Sequence, residues 1–324
     1  MKIIKPEATY MEHNVTPYEF IEKVGRTCYK SEDKITEGSA EKFVKALINS
    51  NHWAMLEHET VYMSLTEPLM SEFLEDMLLI DENLAFLNYS LDEDVGVYVL
   101  SGSFRSFHDI FVKSPDTHSV RTIKYALQST YPLVFGEPEE KIKYNIKYGY
   151  CVYSREEFKS IYGHKENILF KHLTHTVKFV CDRGVSHEMV RHRVASFAQE
   201  STRYCNYSKD KYGNELTVIL PCFFEGMENC TKFSIWKYAC EIAEKHYFDL
   251  LEMKAKPEEA RTVLPHSIKT DLIITATEEE WQHIINLRLL GLTGKPHPQT
   301  KEVMELIIKD LLKESEGRLY YEAD

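Results

Sequence analysis

Glycine and proline are scarce in this chain of 324 residues, which contains 13 and 11 of them. Such a composition excludes a collagenous, low-complexity or largely disordered protein. The sequence has no run of about 18 apolar residues, so it predicts no membrane-spanning helix. Its first residues, Met-Lys-Ile-Ile-Lys-Pro, lack the long apolar stretch of a secretory signal. The seven cysteines include no C-x-x-C pair, which favours reduced thiols in a cytoplasmic protein over a zinc knuckle.

Two common nucleotide-binding motifs are also absent. Neither G-x-G-x-x-G nor G-x-x-x-x-G-K-[ST] occurs, so the sequence supports neither a Rossmann dinucleotide fold nor a P-loop. The formal net charge of −12 argues against a general nucleic-acid binder, because such proteins need a basic surface. A local basic cluster can still bind a small anionic ligand against this overall charge.

Alternating helical and strand patterns predict an α/β or α+β fold with a mixed-sheet core flanked by helices. Thr16, Pro17 and Glu19 have the spacing of a capping box at a helix start. Residues 66–170 differ from the rest, because they begin with a run of acidic side chains and contain no chemical motif. We therefore expect a core formed by residues 1–65 and 171–324, and an insertion or subdomain of unknown role at 66–170.

The patterns toward the end of the chain predict further elements. We expect strands at 174–181 and 272–277 and a polar loop after Arg193. We expect a long helix over 231–253, with Ile235 and Ala239 among its inward side chains, and a single helix over 299–312.

Residues 183–211 hold the densest group of functional side chains. Six are basic and three are acidic, which gives a local balance of +3: Arg183, Arg191, Arg193, Arg203, Lys209, Lys211, Glu188, Glu200 and Asp210. Arginine suits phosphate because its planar fork makes paired hydrogen bonds. Tyr204 and Tyr207 offer rings for stacking on a base. A solvated surface is the plainer interpretation, but the interleaved apolar residues favour partly buried arginines.

Two other chemistries are less well supported. His187 and Glu188 are followed by His192, but a zinc protease helix needs its second histidine four residues after the first rather than five. Ser201 and Cys205 are possible nucleophiles, although neither lies in a known nucleophile motif. We therefore predict no metal ligand and no covalent intermediate on the protein.

Arg191-His192-Arg193 is followed after seven residues by Ser201, which gives the pattern R-H-R-x7-S. This pattern resembles the signature of flavin-dependent thymidylate synthases. Three further segments resemble that family in the right order: His-Trp-Ala-Met-Leu-Glu-His at 52–58, Ala-Arg-Thr-Val-Leu-Pro at 260–265, and the stretch from Trp281 to Arg288.

The resemblance implies the family's fold with a large insertion, and the reductive methylation of dUMP to dTMP. It implies 5,10-methylenetetrahydrofolate as carbon donor, FAD as cofactor and NADPH as reductant. It further implies a homotetramer whose sites are shared between subunits. From the net charge and the lack of a long apolar run, we expect no nucleic-acid or membrane partner.

The resemblance also assigns roles to residues. The dUMP-binding positions are Glu188, Arg191, Gln199, Glu200, Ser201, Thr202, Arg203, Arg261 and Arg288. The flavin positions are His52, Glu57, Arg191, His192, Arg193, Gln199 and His283. Arg288 would lie beside the uracil ring as the catalytic residue, where a cation stabilises an enolate-like pyrimidine. Thr277 and Glu279 stand where compact members have asparagine and arginine at the flavin.

Some alternatives remain open at this point. Arg261 could pair with Glu258 or Glu259, His283 could be a surface residue, and Arg288 could complement a helix dipole. The whole chain could be a flavin-binding nucleotide-modifying protein with a different one-carbon donor or pyrimidine. It could also be a nucleotide- or RNA-binding relative without thymidylate synthase turnover.

Overall fold

The computed structural model describes residues 1–79, 87–114, 116–138, 146–203, 205–209 and 213–322. Tyr204, Asp210 and Lys211 of the predicted basic cluster lie outside these residues. The strands are, in chain order, β1 (Lys2–Ile4), β2 (Glu7–Tyr10), β3 (Thr60–Thr66), β4 (Leu87–Asp92), β5 (Val97–Ser103), β6 (Tyr150–Tyr153), β7 (Thr174–Asp182), β8 (Ser196–Gln199), β9 (Thr217–Ile219) and β10 (Lys269–Thr277).

Helices are distributed along the whole described chain. They are α1 (Pro17–Tyr29), α2 (Ser39–Asn49), α3 (Glu67–Leu79), α4 (Phe104–Lys113), α5 (His118–Thr130), α6 (Pro132–Phe135), α7 (Arg155–Tyr162), α8 (Glu166–His172), α9 (Arg183–Met189), α10 (Thr231–Glu252), α11 (Pro257–Ala260), α12 (Glu278–Arg288), α13 (Pro298–Glu305) and α14 (Ile308–Glu314). The predicted capping box starts α1, with the Thr16 and Glu19 side chains bonded reciprocally to backbone N–H groups. The predicted mixed α/β fold is confirmed.

The first sheet has the order β2-β7-β10-β8 among the described strands and is antiparallel throughout. Alternation along β7 places Val177, Phe179 and Cys181 on one face, where they pack with Trp281 of α12. Lys178 lies on the opposite face. The sheet therefore packs one apolar face against the C-terminal helices, while its other face carries Lys178 beside Ile273, which packs in the core of the N-terminal residues.

The second sheet has the order β4-β5-β3-β6 in the described part of the chain. Its strand β3 lies between β5 and β6, which both come from residues 66–170. One apolar core also joins Phe20 of α1 to Phe73 of α3 and Phe107 of α4. Residues 66–170 thus share a sheet and a core with the N-terminal residues. The division into a core and an insertion stays a prediction.

Three local predictions are wrong. The polar loop after Arg193 contains β8, which forms because it pairs with β10 far along the chain. In α10 the side chain of Ile235 is 65% exposed, since the helix buries only a narrow stripe that includes Phe233, Cys240 and Tyr247 at intervals of seven. The helix expected at 299–312 is divided into α13 and α14. Among the described helices, none combines the length and apolar character that crossing a bilayer requires.

Candidate functional site

The segment Arg191-His192-Arg193 lies in the turn between α9 and β8. The imidazole of His192 is buried, whereas the side chains of Arg191 and Arg193 are exposed. The expectation of partly buried arginines is therefore wrong. The reason is local, because the backbone leaves the helix after Met189 and turns the two arginines away from the core that receives His192.

Arg288, at the end of α12, binds two of the other residues predicted from the sequence, His192 and Glu188. Its Nε donates to Nε2 of His192 at 2.9 Å, its Nη1 donates to Oε2 of Glu188 at 3.3 Å, and its Nη2 donates to the Glu188 carbonyl at 3.0 Å. We call these three residues the Arg288 cluster. A ring nitrogen that accepts a hydrogen bond carries no proton, so His192 has its proton on Nδ1. Burial and the Arg288 cation lower the pKa of His192 to about 4.

Glu280 of α12 faces the same imidazole, and the sequence analysis missed it. Its Oε1 is buried, has no hydrogen-bond partner among the described residues, and lies 3.8 Å from Nδ1 of His192. Burial raises the pKa of Glu280 to about 7, although a hydrogen bond from the Val194 backbone acts in the opposite direction. Glu280 and His283 are three residues apart, which places them on the same face of a helix, and this spacing could have indicated Glu280 as a member of the site.

His192, Glu280 and His283 offer ligand atoms that all lie within 4.8 Å of one another. A metal ion there would need a lone pair on Nδ1 of His192, but that nitrogen carries the proton while Nε2 accepts from Arg288. The Arg288 cation would also repel a metal cation. The electrostatics therefore disfavour a metal, and the absence of a metal ligand stays a prediction.

The residues after β8 form a hydroxyl-rich turn. Oγ1 of Thr202 accepts from Nη1 of Arg261 at 3.3 Å, and Oγ of Ser201 accepts from the backbone N–H of Arg203 at 3.4 Å. The guanidinium-bearing side chains of Arg203 and Arg261 are exposed. Tyr207, in contrast, is buried against other residues, so the prediction that its ring stacks on a base is wrong.

Glu200 is buried and Gln199 is half-buried, and both side chains bind other side chains of the protein. Oε2 of Glu200 accepts from Nζ of Lys269 at 2.9 Å, and only 2% of its side chain is exposed. Gln199 donates to Oγ of Ser186 at 2.8 Å. If Glu200 contacts a substrate, it would therefore do so through its backbone atoms.

Glu200 belongs to a group of charges at the start of β10 that we call the lysine cluster. It contains Lys30, Lys178, Lys269, Glu200 and Asp271, which gives three cations to two anions. Burial lowers the pKa of Lys30 to about 8, despite the attraction of Glu200. The sequence prediction missed this cluster because its members come from the end of α1, from β7, from the turn after β8 and from β10, which lie far apart in the chain.

A cavity of about 340 Å³ lies between the two sheets and is lined by residues of β10, β5 and α4, among others. We call it the intersheet cavity. Glu57 and Thr277, two flavin positions of the resemblance, both line it. Nη1 of Arg105 lies 2.5 Å from Oε1 of Glu57. Burial raises the pKa of Glu57, and Arg105 opposes this shift. His52 is exposed and shares a hydrogen bond of 2.6 Å between its Nδ1 and the Tyr29 hydroxyl.

The intersheet cavity adjoins the Arg288 cluster through two residues. Val194 lines the cavity and its backbone binds Glu280, while Thr277 lines the cavity and caps the helix that carries Glu280 and Arg288. The fold and this site define an α/β protein with a ligand cavity beside a buried histidine and an anchored arginine.

Residues 116–315 match the family described as thymidylate synthase complementing protein, and the chain belongs to that family. The matched residues include Arg191, Ser201, Arg261 and Arg288. The match begins within residues 66–170, and it does not include His52 and Glu57, so the resemblance of that segment stays a prediction.

Curated relatives carry the name flavin-dependent thymidylate synthase. The protein of Pyrococcus abyssi is 30% identical over 159 residues, which are 48% of this chain and 61% of that relative. The protein of Sulfurisphaera tokodaii is 36% identical over 107 residues, which are 33% of this chain and 38% of that relative. This chain thus matches less than two thirds of the length of either relative.

Among solved structures, a UMP/dUMP methylase PolB from Streptomyces cacaoi bound with 5-Br dUMP aligns with 97% of this chain and 93% of that chain. The TM-score is 0.41 and the sequence identity is 13%. That score is below the level that indicates a common fold.

Proposed function

We propose that this protein converts dUMP to dTMP as a flavin-dependent thymidylate synthase. In this proposal 5,10-methylenetetrahydrofolate supplies the carbon, FAD is the cofactor and NADPH is the reductant. The observation that carries the proposal is the Arg288 cluster, which joins three residues of the family-matched segment around one guanidinium.

The basic side chains support a nucleotide monophosphate as substrate. Arg191, Arg193, Arg203 and Arg261 are exposed and can donate paired hydrogen bonds to phosphate oxygens. Arg288 is instead held in a fixed orientation by His192 and Glu188. A fixed cation beside a pyrimidine carbonyl stabilises the enolate-like form that makes the ring carbon nucleophilic.

The residues around the intersheet cavity fit a flavin. Eight of the lining residues are serines or threonines, which suit a heterocycle and a polyol with many donors and acceptors. When bound, the reduced flavin supplies a hydride. Glu57, Thr277, His192 and His283 would hold it, with His192 neutral because of its lowered pKa. Glu279 is exposed and offers no cation.

We include in the proposal a homotetramer in the cytoplasm. Exposure of the four arginines in the single chain supports sites that are completed by another subunit. The seven cysteines lie in described residues and form no disulfide there, which supports a reducing compartment.

The test is anaerobic formation of dTMP from dUMP, methylenetetrahydrofolate and NADPH, with and without added FAD, followed by chromatography. Product that depends on FAD supports the proposal, and replacing the folate donor tests the one-carbon source. Folded protein that binds dUMP without forming product would favour a relative without turnover. Binding of long oligonucleotides with steep salt dependence would favour an RNA-binding protein.

A further inference from the structure

Residues 66–170, to which the sequence analysis assigns no role, form about half of the wall of the intersheet cavity. Of its 21 lining residues, 11 come from this segment, mainly from β5 and α4. The opposite wall contains Glu57 and Thr277. A ligand that fills the cavity would therefore contact residues of the second sheet and α4 as well as Glu57 and Thr277.

The charges of the lining are balanced. Arg105 and Lys113 are its cations, and Glu57 and Asp109 are its anions. Arg105 is engaged by both carboxylates, since its Nη1 lies 2.5 Å from Oε1 of Glu57 and its Nε lies 3.4 Å from Oδ2 of Asp109. With two cations, two anions and Arg105 already engaged by both carboxylates, the lining offers a phosphate no excess positive charge, so charge disfavours a phosphate there.

The remaining polar groups of the lining are neutral. Besides the eight hydroxyl residues there are Asn88 and His172. Burial lowers the pKa of His172 to about 3, and its ring nitrogens contact the hydroxyls of Ser101 at 2.8 Å and Ser90 at 2.9 Å. Hydroxyl and amide groups match a ligand that has many hydrogen-bonding atoms and no charge.

We propose that the second sheet closes a compartment for an uncharged heterocycle carrying a polyol. Riboflavin and adenosine, the two uncharged halves of FAD, share this chemistry. The inference rests on the proposed function, because it takes FAD as the ligand. It places the pyrophosphate outside the compartment, toward the exposed arginines.

Ser106 and Val112 of α4 provide a matched pair of variants. Ser106 lines the cavity, so Ser106→Phe fills it, and the backbone N–H of residue 106 keeps its hydrogen bond to the helix-capping Ser103. Val112→Phe adds the same ring at a side chain that is 69% exposed on the same helix. Circular dichroism and denaturant unfolding establish that both variants fold.

The probes are FAD, riboflavin, adenosine and inorganic pyrophosphate, with riboflavin and FAD followed by fluorescence and the others by calorimetry. We expect Ser106→Phe to weaken FAD and one of the two uncharged halves by about tenfold or more, while pyrophosphate binding changes less than about twofold. The half that is affected identifies the occupant. Val112→Phe should bind every probe as the wild type does.

Three outcomes separate the hypotheses. FAD affinity that Ser106→Phe leaves unchanged overturns the compartment while leaving the proposed function intact. A loss confined to FAD and pyrophosphate also overturns it, because the cavity would then hold phosphate. Failure of the wild-type protein to bind FAD overturns the proposed function itself.

Discussion

Arg288 and His192 are joined by a hydrogen bond of 2.9 Å between Nε and Nε2, although 96 residues separate them in the chain. The bond requires a neutral imidazole, because a protonated ring has no lone pair to offer and would repel the guanidinium. The lowered pKa of His192 meets this requirement at neutral pH. His192 thus orients the guanidinium, and Glu188 fixes its other end.

Replacing Arg288 tests the catalytic assignment. We expect Arg288→Ala to lower the rate of dTMP formation by about 10²- to 10³-fold, which is what loss of one preorganised donor costs. Arg288→Lys should stay impaired, since lysine keeps the charge but lacks the planar fork and the Nε donor. The measurement is single-turnover product formation, with Arg121→Ala on an exposed helix surface as the control. Near-normal turnover of Arg288→Ala would refute the role.

Replacing Arg203 tests whether this residue binds the phosphate of dUMP. We expect Arg203→Ala to weaken dUMP binding by ~1.5–3 kcal/mol, the range for a hydrogen bond to a charged group. Calorimetry with dUMP measures this change, and an unaltered dissociation constant would remove Arg203 from the phosphate site.

Ser201→Ala should retain measurable dTMP formation, because the proposed reaction has no covalent intermediate on the protein. Complete loss of product with intact dUMP binding would instead indicate a nucleophilic serine.

The sequence predicted correctly those helices and strands whose residues interact mainly with their neighbours in the chain. The spacing of Thr16 and Glu19 was sufficient for the start of α1, because a capping box involves only neighbouring residues. The strand β8 escaped prediction because its four residues are polar in part and pair with β10 more than 70 residues later. For the same reason the contact between Arg105 and Glu57 had no signal in the sequence.

In the candidate site too, the sequence identified some residues, whereas their contacts and burial needed the structure. The resemblance identified His192 and Arg288 as members of one site, and the structure supplies the hydrogen bond between them. Neither motif nor spacing indicated that Arg191 and Arg193 are exposed while His192 is buried, since burial depends on what packs against the turn. Glu280 escaped notice because a carboxylate in an acidic helix start ordinarily complements the helix dipole.

The buried pair of Glu200 and Lys269 should stabilise the fold more than an exposed pair does. We expect Glu200→Gln to lower the free energy of unfolding by about 3–5 kcal/mol, because Asp271 then remains as the one carboxylate of the lysine cluster for its three lysines. Asp249→Asn breaks an exposed pair with Lys245 and should cost less than about 1 kcal/mol. Urea unfolding at neutral pH compares the two. Equal costs would mean that water screens the buried pair.

Glu280 should make stability fall as the pH rises. Its pKa is 4.5 in the unfolded chain and about 7 in the folded one. The folded state therefore binds more protons between these values, so the stabilising contribution is complete below pH 4.5 and is lost as the pH passes through 7. Its surroundings agree with this shift, since neutral His192 and the nearby Glu279 offer no positive charge to the carboxylate.

Glu280→Gln removes the titration and keeps the shape of the side chain. We expect the variant to gain free energy of unfolding relative to the wild type as the pH rises from 4.5 to 8, by on the order of 3 kcal/mol for a shift of this size. Glu59, whose pKa burial also raises to about 7, titrates in both proteins and cancels in the comparison. Urea unfolding across this pH range is the measurement. Parallel stability curves would show that the carboxylate of Glu280 ionises as it does in water.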